Sequence, residues 1–277
     1  KPPDRYGYYM STGPTIPKTF KQAISTNFPF NWADAIAKEL QTIEDLGVWE
    51  DCSLQSVPNL LNTVWNFKLK QNTHNEICTP KACLCVQGFD QLEGINYDDT
   101  WAPTEKVASL RTLLTYALDK NLAILQLDFK GAFLHSSLSE NVYIKCPLWC
   151  KQSSSILKLK KLLYGLKQAP ANWYKHLCNW IGEQGYIESS CDLCIYLKPK
   201  CSSALFFHVD DLIVVGEVDE FKDAFLKTFP HSSAHPPDTL LGMKFVKHNN
   251  KILLSLPTHI KKGLDDLNLT NAKPTQT

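Results

Sequence analysis

The chain has 277 residues, of which 44% are hydrophobic and 21% charged, and its formal net charge is +1. This composition predicts a globular protein with a sizeable core, built as one large domain or two small ones. It has no run of 18 or more apolar residues and no apolar signal region at its start, so we expect an intracellular protein that does not contact membranes and is not secreted.

The first part of the chain predicts a lead-in followed by a helix. Residues 1–30 are rich in proline and glycine and show no periodicity, which indicates an extended or disordered segment. Asn31 can cap a helix that begins at Trp32 and ends at Gly47. Apolar residues at helical spacing give this helix one core-facing side.

The next stretch predicts a β-hairpin. Residues 64–70 alternate in character, and residues 82–87 can pair with them across a turn at residues 72–75. In the first strand Lys68 and Lys70 alternate with aromatic and aliphatic residues. Their side chains can therefore point to solvent or to a ligand while the others pack.

Acidic residues stand at the ends of apolar runs in two places. A helix over residues 105–120 leads into a strand that ends at Asp128, and a later hairpin over residues 204–216 carries Asp210 and Asp211 at its turn. Adjacent carboxylates beside an apolar core are costly unless a cation compensates them. Three converging carboxylates suit two Mg²⁺ ions, although Asp-Asp is also an ordinary turn sequence.

Further elements follow from periodicity alone. Pro170 lies in the first turn of a predicted helix that carries Trp173 on its apolar face. We predict another helix over residues 221–229. A last hairpin pairs residues 240–245 with residues 252–255.

Lysine is concentrated in two stretches that contain no acidic residue. Seven lysines lie between Lys145 and Lys175, and five lie between residues 239 and 263. Such stretches could line a groove for a nucleic-acid duplex and contact its phosphates, or they could be ordinary solvated faces.

The ten cysteines include a C-x-x-C at Cys191 and Cys194 and a pair at Cys146 and Cys150. A zinc site would need a second C-x-x-C pair or suitably spaced histidines, and neither is present. We therefore expect scattered reduced thiols.

Together these stretches resemble the polymerase domain of copia-type retrotransposon reverse transcriptases. The family's Tyr-Val-Asp-Asp box corresponds to His208-Val209-Asp210-Asp211, and its Asp-Val-Lys-Thr-Ala-Phe-Leu box to Asp128-Phe129-Lys130-Gly131-Ala132-Phe133-Leu134. The box Leu-Tyr-Gly-Leu-Lys-Gln-Ala-Pro is intact over residues 163–170. Shorter matches, in the family's order, occur at residues 88–91, 94–97, 101–103 and 240–242.

This resemblance implies an α+β fold of right-hand polymerase fingers and palm, with an antiparallel palm sheet backed by helices. Fingers and palm would occupy residues 31–257. Residues 258–277 would begin a thumb that is largely missing.

The resemblance also implies an RNA-directed DNA polymerase with Asp128, Asp210 and Asp211 as catalytic metal ligands for two Mg²⁺ ions, which Mn²⁺ can replace. The expected partners are an RNA or DNA template with its primer, and deoxynucleoside triphosphates. The expected location is a cytoplasmic particle or the nucleus.

The nucleotide-binding residues implied by the resemblance are Ala132, Phe133, Gly165, Lys68 and Lys70. Phe133 would exclude a 2′-hydroxyl, although on its own it would be taken for a core residue. Gly165 would let the backbone approach the templating base.

The chain departs from the family pattern in its fingers strand. Cys83 and Gln87 replace an arginine and a lysine, so the nucleotide's phosphates lose bidentate charged hydrogen bonds that Lys68 and Lys70 could replace in part. Further departures are Ala171, His208 and Leu256. Two alternatives stay open at this point: a decayed retroelement fragment that binds nucleic acid without polymerising, and a two-metal phosphoesterase.

Overall fold

The computed structural model describes residues 16–25, 30–53, 57–71, 77–104, 106–199 and 201–270. Within these ranges the helices are Phe20–Ala23 (α1), Trp32–Asp45 (α2), Val107–Asp119 (α3), Ala169–Glu183 (α4), Asp219–Thr228 (α5) and Pro257–Asp266 (α6). The first strands are Trp49–Asp51 (β1), Leu60–Leu61 (β2), Thr63–Gln71 (β3), Ile77–Val86 (β4), Ile124–Asp128 (β5), Tyr143–Lys145 (β6) and Ile156–Leu159 (β7). The later strands are Ile187–Glu188 (β8), Ile195–Leu197 (β9), Ala204–His208 (β10), Asp211–Val215 (β11), Ser233–His235 (β12), Thr239–Leu240 (β13), Met243–His248 (β14) and Lys251–Ser255 (β15).

The chain therefore has a mixed α and β organisation with several sheets. None of the helices in the described ranges combines the length and the apolar character needed to cross a lipid bilayer.

A six-stranded antiparallel sheet, which we call the central sheet, has the strand order β12-β5-β11-β10-β9-β8. Its two faces are buried against different helices. Phe207 and Leu212 pack in a cluster with α4 and α5, whereas Phe206 and Ile213 pack in a cluster with α3 and the strands near the carboxyl end. Because both faces are covered, β10 and β11 are continuous apolar runs rather than alternating ones.

A second core lies around α2. This helix packs on the long hairpin of β3 and β4, beside a four-stranded sheet of order β1-β7-β6-β2. The Asn31 side chain accepts a hydrogen bond from the Asp34 N–H at 3.2 Å, and Gly47 adopts a φ of +59° just after the helix. The predicted start and end of this helix are therefore confirmed.

The structure differs from the predicted lead-in where it describes that segment. Residues 20–23 form α1, which Thr19 caps, and the Phe20 ring packs edge-on against Trp149 with centroids 5.2 Å apart. This part is therefore helical, because aromatic packing stabilises a turn that sequence periodicity is too short to reveal. Residues 1–15 and 26–29, the predicted turn at residues 72–75, and residues 271–277 lie outside the described residues.

The predicted strand over residues 240–245 is interrupted. Leu240 ends β13 and Met243 begins β14, and the two residues pair across a turn at Leu241 and Gly242, both at positive φ. A glycine in an αL turn permits this reversal. The hairpin of β14 and β15 is otherwise as predicted.

Gly165 lies at a close backbone approach between β4 and the segment that precedes α4. The Val86 N–H at the end of β4 donates to the Tyr164 carbonyl oxygen at 2.7 Å. Gly165 has a φ of +91°, and a Cβ added there would collide with the Val86 carbonyl oxygen. Close packing between the long hairpin and the segment that precedes α4 therefore requires a glycine at this position.

We expect Gly165→Ala to lower the free energy of unfolding by about 1–3 kcal/mol from backbone strain alone, since both φ and the space oppose a side chain. Gly182→Ala is the matched control, because Gly182 lies in α4 and a Cβ there would meet nothing within 4 Å. That control should be neutral or stabilising by up to about 1 kcal/mol. Urea unfolding measures both, and equal stabilities would contradict the close approach.

Candidate active site

The turn that carries the acid pair is held from two sides. The pairing of β10 with β11 sets His208 opposite Asp211 and leaves Val209 and Asp210 in the turn, with Val209 at a φ of +48°. The Trp173 indole N–H donates to the Val209 carbonyl oxygen at 2.7 Å. The Phe129 N–H donates to the Asp210 carbonyl oxygen at 3.3 Å. The predicted hairpin is confirmed, but of the two acids only Asp210 lies in its turn, because Asp211 is the first residue of β11.

The third acid reaches the same end of the central sheet. Asp128 is the last residue of β5, and the antiparallel register sets it directly opposite Asp211 on β11. The structure thus brings Asp128, Asp210 and Asp211 together as neighbours. In the described ranges, however, no group of three or more His, Cys, Asp and Glu side chains is arranged to hold an ion.

Burial of this negative charge is only partly compensated. Burial raises the pKa of Asp210, and one of its carboxylate oxygens, Oδ1, is buried without a hydrogen-bond partner. Burial, followed by the neighbouring Asp128 carboxylate, raises the pKa of Asp211 to about 6. These carboxylates therefore lie where a cation would be favourable.

His235, which the sequence analysis did not identify, contacts this acid cluster. Its Nε2 lies 2.8 Å from Asp128 Oδ2, and its Nδ1 lies 2.9 Å from the Pro236 carbonyl oxygen. Burial lowers the pKa of His235, but the contacts with these two oxygens outweigh it and raise the pKa overall. The imidazole lies beside Asp128 because β12 pairs with β5. Strand β12 is short and weakly patterned, so the sequence provides little indication of this contact.

A cleft of about 600 Å³ opens above the acids. Its walls come from α2, from β4, from the segment after β5 and from the turn between β10 and β11. The lining includes three lysines, namely Lys38, Lys81 and Lys130, together with Glu39, Asp128, Tyr164, Asp210 and His231. The cleft therefore combines an acidic floor with basic walls.

The cation on β4 is Lys81, which the sequence analysis did not assign. Lys81 and Cys83 are two residues apart and so point to the same face of the strand, while Ala82 and Leu84 are buried on the other face. Lys68 is the register partner of Lys81 and is exposed, and it is not among the residues that line the cleft. Lys70 lies in β3, but its side chain is outside the described residues.

The remaining predicted nucleotide contacts have different surroundings. Phe133 is half-buried between the two cores, with its ring 5.1 Å from that of Tyr164. Ala132 is fully buried at 0% exposure and packs in the cluster with α4 and α5, and its assignment as a nucleotide contact stays a prediction. Ala132 and Phe133 are consecutive in a 3₁₀ turn and face different surroundings.

The lysines between Lys145 and Lys175 are partly engaged by protein groups. Lys160 pairs with Glu50 at 3.7 Å and Lys175 with Asp99 at 3.3 Å. Lys167 lies over the Tyr97 ring. Exposed pairs of this kind contribute little, which suits the reading of this stretch as a solvated face.

Among the described residues, reduced thiols are found at Cys52, Cys85, Cys146, Cys150, Cys178, Cys191 and Cys201. Cys194 is buried, whereas Cys191 is exposed.

Comparisons with known proteins agree with this arrangement. The family described as reverse transcriptase (RNA-dependent DNA polymerase) matches residues 47–277. The retrovirus-related Pol polyprotein from transposon TNT 1-94 of Nicotiana tabacum is 32% identical over 98% of this chain and 21% of its own length. Those from transposons RE1 and RE2 of Arabidopsis thaliana are 28% and 27% identical over 100% of this chain, and over 19% and 20% of their own lengths. The chain thus spans about a fifth of the length of these relatives.

The raised pKa of Asp211 predicts a pH dependence of stability without metal. The folded value is about 6 and the ordinary value 3.8, so between these values the folded state holds more protons than the unfolded state. The free energy of unfolding should therefore fall as pH rises through this window, and Asp211→Asn should remove that loss.

Urea unfolding in EDTA at several pH values between about 4 and 7 measures this difference for both proteins. The stability of Asp211→Asn relative to the unsubstituted protein should increase up to about pH 6 and then level off. A constant difference would contradict the raised pKa. Asp219→Asn, an exposed site at the start of α5, is the matched control and should leave the pH dependence unchanged.

Proposed function

Because the chain belongs to the reverse transcriptase (RNA-dependent DNA polymerase) family, and its relatives are Pol polyproteins of copia-type retrotransposons, we propose that it adds deoxynucleotides to a primer 3′ end. The template would be RNA or DNA. The observation that carries the proposal is the placement of Asp128 and Asp211 on paired strands, with Asp210 on the adjoining turn, beneath a basic cleft.

The proposed division of the fold follows the two cores. The central sheet with α3, α4 and α5 would be the palm. The fingers would consist of α2, the long hairpin and the four-stranded sheet. The strands β13 to β15 would hold the primer end, and residues from 258 onward would begin a thumb.

The acids fit a divalent cation by their chemistry. Carboxylate oxygens are ligands that Mg²⁺ prefers, and the unpartnered Asp210 Oδ1 is a buried acceptor whose negative charge lacks compensation. Asp128, Asp210 and Asp211 would hold the ions. A bound pair of Mg²⁺ ions, or Mn²⁺ in their place, would activate the attacking oxygen and stabilise the leaving phosphate.

The chain's own side chains would orient the reactants. The hydrogen bond from Trp173 keeps the acid turn in place, and Lys81, with Lys38 and Lys130, would neutralise the phosphates of an incoming nucleotide. The primer hydroxyl would attack the α-phosphorus, and pyrophosphate would leave. Phe133, whose half-buried ring lies 5.1 Å from the ring of the cleft residue Tyr164, would leave no room for a 2′-hydroxyl.

Primer extension on a poly-rA/oligo-dT template with Mg²⁺ or Mn²⁺ tests the proposal. The unsubstituted protein should extend the primer. Asp210→Asn should reduce extension below detection, because it removes a charged ligand while keeping the shape of the turn.

Equal extension by both proteins would contradict the assignment of Asp210. No extension by a folded protein that binds the template would favour a retroelement fragment that binds nucleic acid without polymerising. Asp219→Asn, at an exposed position at the start of α5, is the matched control for the charge change and should extend normally.

Lys81 should contribute to nucleotide affinity more than its register partner does. We expect Lys81→Ala to raise the KM for the deoxynucleotide about 10- to 100-fold, the scale of a lost charged hydrogen bond, with a smaller effect on kcat. Lys68→Ala removes the same charge from the opposite strand and should change KM about threefold or less, since an exposed charge is screened. Equal effects in steady-state kinetics would show that Lys81 has no special contact.

A further inference from the structure

We propose that His235 is a positioning residue that fixes the orientation of the Asp128 carboxylate. This inference rests on the proposed function, since it concerns one of the acids assigned to the metal site. The contact is 2.8 Å between His235 Nε2 and Asp128 Oδ2, and it joins β12 to the end of β5.

The Asp128 carboxylate is contacted on both oxygens by groups that are themselves held. Oδ2 meets His235, whose other ring nitrogen is 2.9 Å from the Pro236 carbonyl oxygen. Oδ1 is 3.4 Å from the Gln126 side-chain nitrogen, and this amide also donates to the Thr239 carbonyl oxygen at 2.9 Å. The shorter contact, from His235, is the one that sets the carboxylate plane.

A carboxylate at this position needs such a contact. The Asp128 side chain is 43% exposed, and rotation about its terminal bond is soft, so packing alone does not select one orientation. Asp210 is held more firmly, because its backbone carbonyl is bonded to Phe129 and one of its carboxylate oxygens, Oδ1, is buried. Asp128 therefore depends more than Asp210 does on a side-chain partner.

The consequence is for metal affinity. Groups that orient a metal-binding side chain typically change metal affinity or activity by about 10- to 100-fold when removed. A ring that only supported β12 would change stability and leave ion affinity unchanged. Orientation of Asp128 and support of β12 can be separated by substitutions that each keep only one of the two ring nitrogen positions.

His235→Gln places an amide N–H near the position of Nε2, whereas His235→Asn places one near the position of Nδ1. We expect His235→Asn to keep the contact with the Pro236 carbonyl but to weaken Mn²⁺ binding about 10-fold or more. His235→Gln should retain affinity within about threefold, because it keeps the contact with Asp128. His248→Asn, at the exposed end of the β14–β15 hairpin, is the matched control and should bind Mn²⁺ normally.

Calorimetric titration of the full chain with Mn²⁺ alone measures these affinities without any requirement for polymerisation, and urea unfolding checks that each variant is folded. Equal affinities for the Asn and Gln variants would overturn the inference. Tighter binding by the Asn variant would also overturn it, since His235 would then compete with the ion.

Asp210→Asn separates this inference from the proposed function. If the unsubstituted protein binds no Mn²⁺, or Asp210→Asn binds as well as it does, then the metal site itself is wrong and His235 has no such role. If Asp210→Asn loses affinity while His235→Asn does not, the metal site stands and the positioning role is wrong.

Discussion

The acidic end of the central sheet depends on one register, the antiparallel pairing that sets Asp128 on β5 opposite Asp211 on β11. A shift by one residue would turn every side chain of β5 to the other face and separate the two carboxylates. Packing opposes such a shift, because Leu127 and its register partner Leu212 are both fully buried in the same cluster. The packing of the sheet thus determines which carboxylates meet.

Aromatic packing fixes the segment that follows Asp128. The Phe129 ring lies edge-on to Trp173, Phe225 and Phe229, with each centroid distance 4.9 Å. The indole N–H of Trp173 also donates a hydrogen bond to the Val209 carbonyl oxygen in the acid turn. This aromatic cluster therefore holds both the end of β5 and the turn between β10 and β11. Apolar contacts thus determine where the carboxylates lie relative to one another. The strain of Val209 at positive φ and the unpartnered Asp210 oxygen are tolerated because this packing over-determines the turn.

The sequence predicted these parts well because each carries a local signal. The acid turn lies between two apolar runs, α2 has a polar cap and a glycine stop, and α4 begins at a proline with aromatic residues at helical spacing. His235 could not be predicted, because its role comes from the pairing of a three-residue strand with a residue 107 positions earlier. The difference in burial between Ala132 and Phe133 could not be predicted either, because a motif interpreted as one unit conceals that adjacent residues in a 3₁₀ turn differ in burial.

Strand β4 carries a cation on the same face as a position that differs from the family pattern. Cys83 offers no cation where the family has arginine, but a strand repeats its faces every second residue, so Lys81 shares the face of Cys83. That face borders the cleft at Thr79 and Lys81, which are both among its lining residues. Burial raises the pKa of Glu39 on α2, while Lys81 and Lys130 lower it, so both lysines lie close enough to balance an acid on the cleft wall. A lysine is a flexible point charge that cannot reproduce the bidentate geometry of a guanidinium. For the proposed nucleotide, Lys81 would attract a phosphate without supplying the orienting geometry that an arginine at position 83 would give.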